Sequence, residues 1–220
     1  YVDVRISFNS FIPKDIKKDL ANRLVDYYLN KLISLPKLHD KIEYEIVFSC
    51  YTFDIKNRLE DLKKENFDSD DLVQISNSLK NLTNKIIDTK KGLWRIDQKK
   101  LEKLESRRMK IKSSNLDKPS KIYWLLEDIK RYGTLPFAGL ARAGFISIQF
   151  LKSLVSIGIF TQYDYDKFMN SLNTVAKKLS NHINSLSQKD FLLKYGHLRP
   201  GTYDILSERY DEAPKKYFGN

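Results

Sequence analysis

The end of the chain concentrates the side chains that could do chemistry. Residues 194–214 are Lys-Tyr-Gly-His-Leu-Arg-Pro-Gly-Thr-Tyr-Asp-Ile-Leu-Ser-Glu-Arg-Tyr-Asp-Glu-Ala-Pro. Polar, irregular backbone that is fixed by Gly and Pro is typical of rigid binding loops. Arg199 or Arg209 could hold a carboxylate or phosphate through paired N–H donors, and His197 could act as a hydrogen-bonding group or an acid/base. The same residues could instead form a structural ion-pair network that closes the domain.

Other reactive side chains favour structural roles. Glu43 and Glu45 could pair as catalytic carboxylates, but a solvated face is the simpler interpretation. His39 and His182 have no Cys, His or Asp neighbours at metal-ligand spacing, so the sequence predicts no metal site. Cys50 lacks an activating pattern and is expected to be a small core residue.

Composition indicates a folded domain in a reducing compartment. The 220 residues are 41% hydrophobic and 12% aromatic, which favours a globular unit over a disordered tail. A single cysteine cannot form an internal disulfide, and the first residues lack a signal-peptide pattern, so a cytoplasmic location is expected. No apolar run approaches the roughly 20 residues that span a bilayer, so no membrane partner is expected.

The net charge of +11 is concentrated in one segment. Residues 90–112 contain ten basic and three acidic side chains, a net charge of +7. A basic helix over residues 93–112 could bind nucleic acid with salt-sensitive affinity, or it could dock onto an acidic protein domain. Nucleic acid is the less favoured partner, because no helix-turn-helix, zinc-finger or RNP-like pattern accompanies the helix.

The elements that position these residues are mainly helical. Residues 2–8 and 42–48 alternate at period two and predict strands. Apolar residues repeat at helical spacing over 16–32, 72–86, 93–111, 120–131, 137–157 and 161–186. Gly158 is placed to end one helix, and Thr161 with Asp164 forms a capping-box-like start of the next. The sequence predicts an α+β fold, predominantly α-helical: a helical bundle with a small N-terminal two-strand element.

Three segments are expected along the chain. Residues 1–56 form a strand–helix–strand element, residues 57–118 a helical, basic excursion, and residues 119–220 a helical hairpin followed by the C-terminal binding loop. The first residues resemble a strand cut out of a longer chain, so the three segments are expected to be one fragment of a larger multidomain enzyme.

The terminal motif resembles a known family. Tyr195-Gly-His-Leu-Arg-Pro-Gly-Thr-Tyr-Asp-Ile and Glu208-Arg-Tyr-Asp-Glu-Ala-Pro are similar to a segment of phosphoenolpyruvate-synthase-like (dikinase-type) phosphotransferases. Residues 1–13, 45–51 and 137–145 resemble the branch that includes bacterial L-glutamine kinase, associated with capsule biosynthesis. Leu198 and Thr202 stand where the wider family often has Arg and Glu, which leaves the substrate open.

The resemblance implies a three-part enzyme. An ATP-grasp domain binds ATP and Mg²⁺, a swivelling domain carries a phosphohistidine, and a third region presents a small acceptor such as L-glutamine, with AMP and phosphate as by-products. This sequence has neither a Gly-rich phosphate-cradling loop nor a swivelling-histidine motif. It is therefore expected to be the substrate-binding module, to bind no cofactor itself and to be inactive alone.

Under this resemblance the C-terminal loop supplies the main substrate contacts. Arg199 and Arg209 would neutralise a carboxylate or the transferring phosphoryl group. His197 and Asp204 would orient the acceptor or move its proton, and Thr202 belongs to the same substrate-binding set.

Three further residues would supply more distant polar contacts. Arg5 and Asn9 lie at the end of the first predicted strand, and Arg142 lies in a Leu-Ala-Arg-Ala-Gly turn of helix. Each has a structural alternative, since Arg5 could be solvent-exposed and Arg142 could cap or pair within the bundle.

Overall fold

A computed structural model describes residues 3–200, 204 and 206–219 of the chain. These residues form helices joined by turns, and none of them lies in a β-strand. The α-helices are α1 (Val4–Asn9), α2 (Lys18–Ser34), α3 (Ile55–Leu59), α4 (Ser69–Ile87), α5 (Leu93–Ser113), α6 (Lys118–Asp128), α7 (Leu135–Ser156), α8 (Gln162–Ser171), α9 (Val175–Ser185), α10 (Gln188–Tyr195) and α11 (Pro214–Phe218). The predicted mainly helical fold is confirmed, and the predicted two-strand element is wrong.

The chain divides into two compact units. Unit 1 is Tyr1–Tyr165 and unit 2 is Asp166–Asn220. The expected division of the chain at residues 56 and 118 stays a prediction.

The first predicted strand is the helix α1, although Val2 lies outside the described residues. The Asp3 carboxylate accepts the backbone N–H groups of Arg5 at 2.9 Å and Ile6 at 3.3 Å, which caps the helix. Only Phe8 of the alternating apolar residues is buried, whereas Ile6 is 67% exposed. The alternation therefore does not mark one buried face, because the local cap fixes a helical start.

The second predicted strand, residues 42–48, begins as a π-helical turn over Ile42–Ile46 and continues as extended, buried chain. The carbonyl groups of a strand need a neighbouring strand, because buried backbone groups must be paired. Here a side chain supplies that pairing: Gln149 Nε2 donates to the carbonyl oxygens of Glu43 at 3.4 Å and Tyr44 at 3.1 Å. A distant amide thus replaces the strand partner.

The central segment, residues 43–53, is enclosed by helices of unit 1. Residues 46–50 and Thr52 are buried. Three helices each supply one hydroxyl that accepts a backbone N–H of this segment: Tyr28 Oη from Phe48 at 3.1 Å, Thr83 Oγ1 from Tyr51 at 2.9 Å and Ser153 Oγ from Phe53 at 3.3 Å. The segment is therefore held by α2, α4 and α7 together.

The main hydrophobic core of unit 1 surrounds the central segment. It is built by the residues Phe8, Ile16, Leu20, Leu24, Val25, Tyr28, Ile46, Val47, Phe48, Ile55, Leu59, Leu62, Phe67, Ile75 and Leu79. A smaller cluster joins Cys50 to Ile86 and Ile146, which connects the segment to α4 and α7.

A long helical arm extends the bundle. The helices α6 and α7 are joined by a π-helical turn over Ile129–Thr134 into one helix, Lys118–Ser156, along which α5 packs. This helix is long and apolar enough to cross a membrane, by length and composition alone. The expectation of no membrane partner stays a prediction, because length and composition do not show that a helix spans a bilayer.

Unit 2 contains α9, α10 and α11. The apolar stripe over residues 161–186 predicted one helix, but the chain forms α8 and α9, because Thr174 Oγ1 accepts the N–H of Lys177 at 3.2 Å and starts a new helix.

The predicted capping box at Thr161 is confirmed, since its hydroxyl and backbone both bond to Asp164. Gly158 adopts a φ of 76° after α7, as its predicted helix-ending role requires.

We predict that Tyr28→Phe lowers the free energy of unfolding by about 1–3 kcal/mol, because the buried N–H of Phe48 loses its acceptor. Urea denaturation of the chain measures this change. Tyr27→Phe is the matched control: that hydroxyl bonds to no described residue, so the change should stay within about 0.5 kcal/mol. Equal losses in the two variants would contradict the role given to the Tyr28 hydroxyl.

Candidate functional site

The C-terminal loop of unit 2, residues 196–213, folds back on the end of α10. The backbone N–H groups of Tyr210 and Asp211 donate to the carbonyl oxygens of Leu198 and Gly196, each at 3.0 Å. Gly196 permits this closure, because a Cβ atom there would lie 2.9 Å from the Cβ atom of Asp211. The main chain therefore fixes the two ends of the loop against each other.

A cluster of aromatic rings anchors the loop to α10. Phe191 is 1% exposed, and the rings of Tyr210 and Phe218 contact it with centroid distances of 5.4 Å and 5.2 Å. The neighbouring Tyr195 hydroxyl lies 2.7 Å from Nδ1 of His182. His182, which the sequence left without a role, therefore belongs to the support of the loop.

Both loop arginines bond to the loop itself. Arg209 donates from Nε and Nη2 to the two carboxylate oxygens of Asp211 at 2.9 Å and 3.1 Å, and its backbone N–H donates to Glu212 at 2.8 Å. Arg199 Nε donates to the carbonyl oxygen of Ser207 at 2.6 Å. The ion-pair network that the sequence left as an alternative is thus present around Arg209.

The remaining loop residues differ in their surroundings. His197 is exposed and makes no hydrogen bond to another described residue. Asp204 is exposed, and its Oδ1 accepts the backbone N–H of Leu206 at 2.9 Å. Thr202 lies outside the described residues. The loop therefore places His197, Arg199 and Asp204 in one exposed surface segment.

The three more distant candidates lie in unit 1. Arg5 forms an ion pair with Asp26 of α2. Asn9 is exposed at the end of α1, and Arg142 Nη2 donates to the carbonyl oxygen of the next residue, Ser10, at 3.4 Å. The structure therefore brings Asn9 and Arg142 close together, while Arg5 and Arg142 each have a structural contact. Their assignment to substrate binding stays a prediction.

Unit 1 also contains a charged cavity that the sequence did not single out. The cavity has a volume of about 170 Å³ and is lined by residues 44–48 with Lys31, Arg58 and Asp61. Its charged side chains come from α2, the central segment, α3 and the turn that follows α3. No spacing rule connects these positions, because tertiary packing alone brings them together.

The Cys50 thiol is not placed for chemistry. Burial raises the pKa of the Cys50 thiol to about 11, so the thiol stays protonated near neutral pH. Among the described residues, no group of three or more His, Cys, Asp or Glu side chains is placed to hold a metal ion.

The basic segment 90–112 lies along α5, which has no buried residue. Three of its basic residues form ion pairs with described residues: Lys100 with Asp97, Arg107 with Asp128, and Arg108 with Glu105. The Arg107 pair is the most enclosed, because the Asp128 side chain is 3% exposed and lies 2.8 Å from the guanidinium group. Arg107 is thus committed to holding α5 against α6, and the outer bases remain exposed.

We predict that Arg107→Ala lowers the free energy of unfolding by about 2–3 kcal/mol, because it leaves the buried Asp128 carboxylate unpaired. This value lies below the range for fully buried pairs since Arg107 is 43% exposed. Asp128→Asn should cost less, and the double variant should recover part of the Arg107→Ala loss in a denaturation cycle. Strict additivity of the two changes would contradict a direct coupling.

Comparison of the chain with protein-family models, with curated proteins and with solved structures finds no match.

Proposed function

We propose that this chain is the acceptor-binding module of an ATP-dependent phosphotransferase that resembles phosphoenolpyruvate synthase. ATP and Mg²⁺ then bind to an ATP-grasp domain outside these 220 residues, and a swivelling domain carries the phosphohistidine. The acceptor is a small amino acid, with L-glutamine first, and AMP and phosphate are the by-products. The proposed setting is capsule biosynthesis in the cytoplasm.

One observation carries the proposal: the loop that resembles the family is tied down, yet His197 is exposed and unbonded among the described residues. A histidine without an internal partner can donate to or accept from a ligand at either ring nitrogen. Arg209 is occupied by Asp211 and therefore positions the loop. Arg199 supplies positive charge beside His197.

These residues suit an acceptor half-reaction. When the acceptor atom bonds to phosphorus, the P–N bond of the phosphohistidine would break and release that imidazole, and the acceptor would lose a proton, which His197 can take as a general base. Positive charge from Arg199 stabilises the oxygens of the transferring phosphoryl group or holds the carboxylate of the acceptor. Phosphoryl transfer relies mainly on positioning and charge, which a loop with fixed ends supports.

A second candidate function is protein docking through α5. The helix has no buried residue, and most bases of segment 90–112 form no ion pair with a described residue. Such a surface fits an acidic partner domain, including the other domains of the proposed enzyme. Duplex nucleic acid is the less favoured alternative, because the acidic residues Glu102 and Glu105 interrupt the charge.

We predict that L-glutamine binds to this chain and that Arg199→Ala or His197→Ala weakens binding about tenfold or more, because each removes a charge-assisted or polar contact. Isothermal titration calorimetry measures the affinity. A thermal shift gives a second readout, since a ligand present at about 100 Kd adds roughly 2.7 kcal/mol to the stability.

Lys189→Ala is the matched control, because it removes one exposed positive charge from α10 without touching the loop. Its affinity should equal that of the unaltered chain. Unchanged binding in Arg199→Ala and His197→Ala would contradict the loop assignment. Salt-sensitive binding of short DNA, without amino-acid binding, would move the function to α5.

A further inference from the structure

Two half-buried cations meet in the charged cavity of unit 1. Lys31 and Arg58 both line it, and among the described residues neither has a carboxylate oxygen within 4.0 Å. Burial and the neighbouring Arg58 lower the pKa of Lys31, and the more exposed Asp61 and Glu45 offset this only in part. Two like charges in a partly desolvated position are unfavourable unless an anion joins them. The inner part of the cavity is therefore suited to an anionic group.

Two carboxylates line the same cavity. Asp61 accepts from Lys64 at 2.7 Å through Oδ1, and Glu45 lies 3.9 Å from Lys152, which is too far for a hydrogen bond. Both carboxylate side chains are more exposed than the two cations, at 68% and 47%. Glu45 therefore has acceptor capacity left for a cationic group.

The central segment holds Arg58, and α2 holds Lys31. Arg58 Nη1 donates to the hydroxyl of Thr52 at 3.2 Å, and Thr52 has no exposed surface. The guanidinium carbon lies 5.7 Å from the ring centroid of Phe48. Lys31 Nζ lies 5.8 Å from the ring centroid of Tyr27 on the same helix. Such preorganisation reduces the entropy that binding would otherwise cost.

The size of the cavity limits the ligand. A volume of about 170 Å³ corresponds to roughly six water molecules at about 30 Å³ each. It lies below the range of about 300–1,000 Å³ that is typical of sites for drug-sized ligands. The cavity therefore suits a group of a few heavy atoms, with any longer substituent extending outward.

We propose that this cavity binds the main-chain zwitterion of an α-amino acid, with its carboxylate between Lys31 and Arg58 and its ammonium group toward Glu45 and Asp61. A simple anion would satisfy the cations and leave the two carboxylates as a repulsive rim. A simple cation would compete with Lys31 for Asp61 and Glu45 and add to the positive charge beside Arg58. Only a ligand that carries both charges matches all four groups.

The inference does not rest on the proposed function, because the cavity lies in unit 1 and the C-terminal loop in unit 2. The Arg199→Ala variant is therefore the appropriate background for its test. Amino-acid binding in this variant that shifts the signals of Phe48 and Thr52 reports on the cavity, and binding that Arg199→Ala weakens reports on the loop.

The test is a titration of ¹⁵N-labelled Arg199→Ala protein with glycine, L-glutamine, acetate and methylamine, followed by NMR. Both amino acids should shift the amide signals of Phe48 and Thr52 saturably. Lys31→Gln and Arg58→Lys should each weaken this binding about tenfold to a hundredfold, because each removes a charged contact or its fork geometry. Acetate and methylamine should each bind about tenfold or more weakly than glycine.

Lys63→Gln serves as the matched control, since it removes an equal charge from a side chain that does not line the cavity. Its affinity for glycine should equal that of the background protein. Three results would overturn the inference: no saturable shift with either amino acid, affinity that is unchanged in both Lys31→Gln and Arg58→Lys, or acetate binding as tightly as glycine.

Discussion

The structure of unit 1 depends on pairing the buried backbone of the central segment, residues 43–53. This segment runs through the interior without a neighbouring strand, so the buried N–H and C=O groups that lack a backbone partner bond to side chains instead. Tyr28, Thr83, Gln149 and Ser153 supply them from three helices. Leaving one such group unpaired costs about 1–3 kcal/mol, so α2, α4 and α7 are coupled through the segment.

The same constraint places the charged cavity. Pairing the segment in this way brings Phe48 and Thr52 beside Arg58, and it leaves residues 44–48 along one wall. Lys31 and Arg58 are then held by aromatic rings and a hydroxyl group rather than by direct carboxylate contacts. Both side chains therefore keep N–H donors that can bond to a ligand. The C-terminal loop of unit 2 differs, because its Arg209 is paired with the carboxylate of Asp211. The loop is also closed by main-chain hydrogen bonds at Gly196.

Local signals predicted much of the fold. The capping box of Thr161 and Asp164 spans three residues, and Gly158 lies just after the end of α7. Because these signals are local in sequence, the helix start and end could be predicted from them. The strand over residues 42–48 was wrong because its pairing partner, Gln149, lies 105 residues away from Tyr44. Gln149 interrupts an apolar helix face in the sequence, and it is 5% exposed in the structure. A polar residue at a core position was the available signal.

The candidate sites, too, could be predicted from the sequence only where their residues are close together in the chain. The C-terminal loop could be found because its polar residues are contiguous, and its Arg209 network was among the expected alternatives. The cavity could not be found, because Lys31, Glu45, Arg58 and Asp61 share no periodic spacing and meet only through packing. Glu45, interpreted as a solvated strand residue, is exposed but lies in a π-helical turn at the rim of that cavity.

Separating the two half-reactions tests the central claim most directly. In a polypeptide that joins this chain to the ATP-grasp and swivelling domains, radiolabelled ATP should phosphorylate the swivelling histidine and then the acceptor. The account predicts that His197→Ala abolishes acceptor phosphorylation while the phosphohistidine still forms. An equal loss of both half-reactions, in a variant that remains folded, would contradict the claim and leave the loop with a structural role.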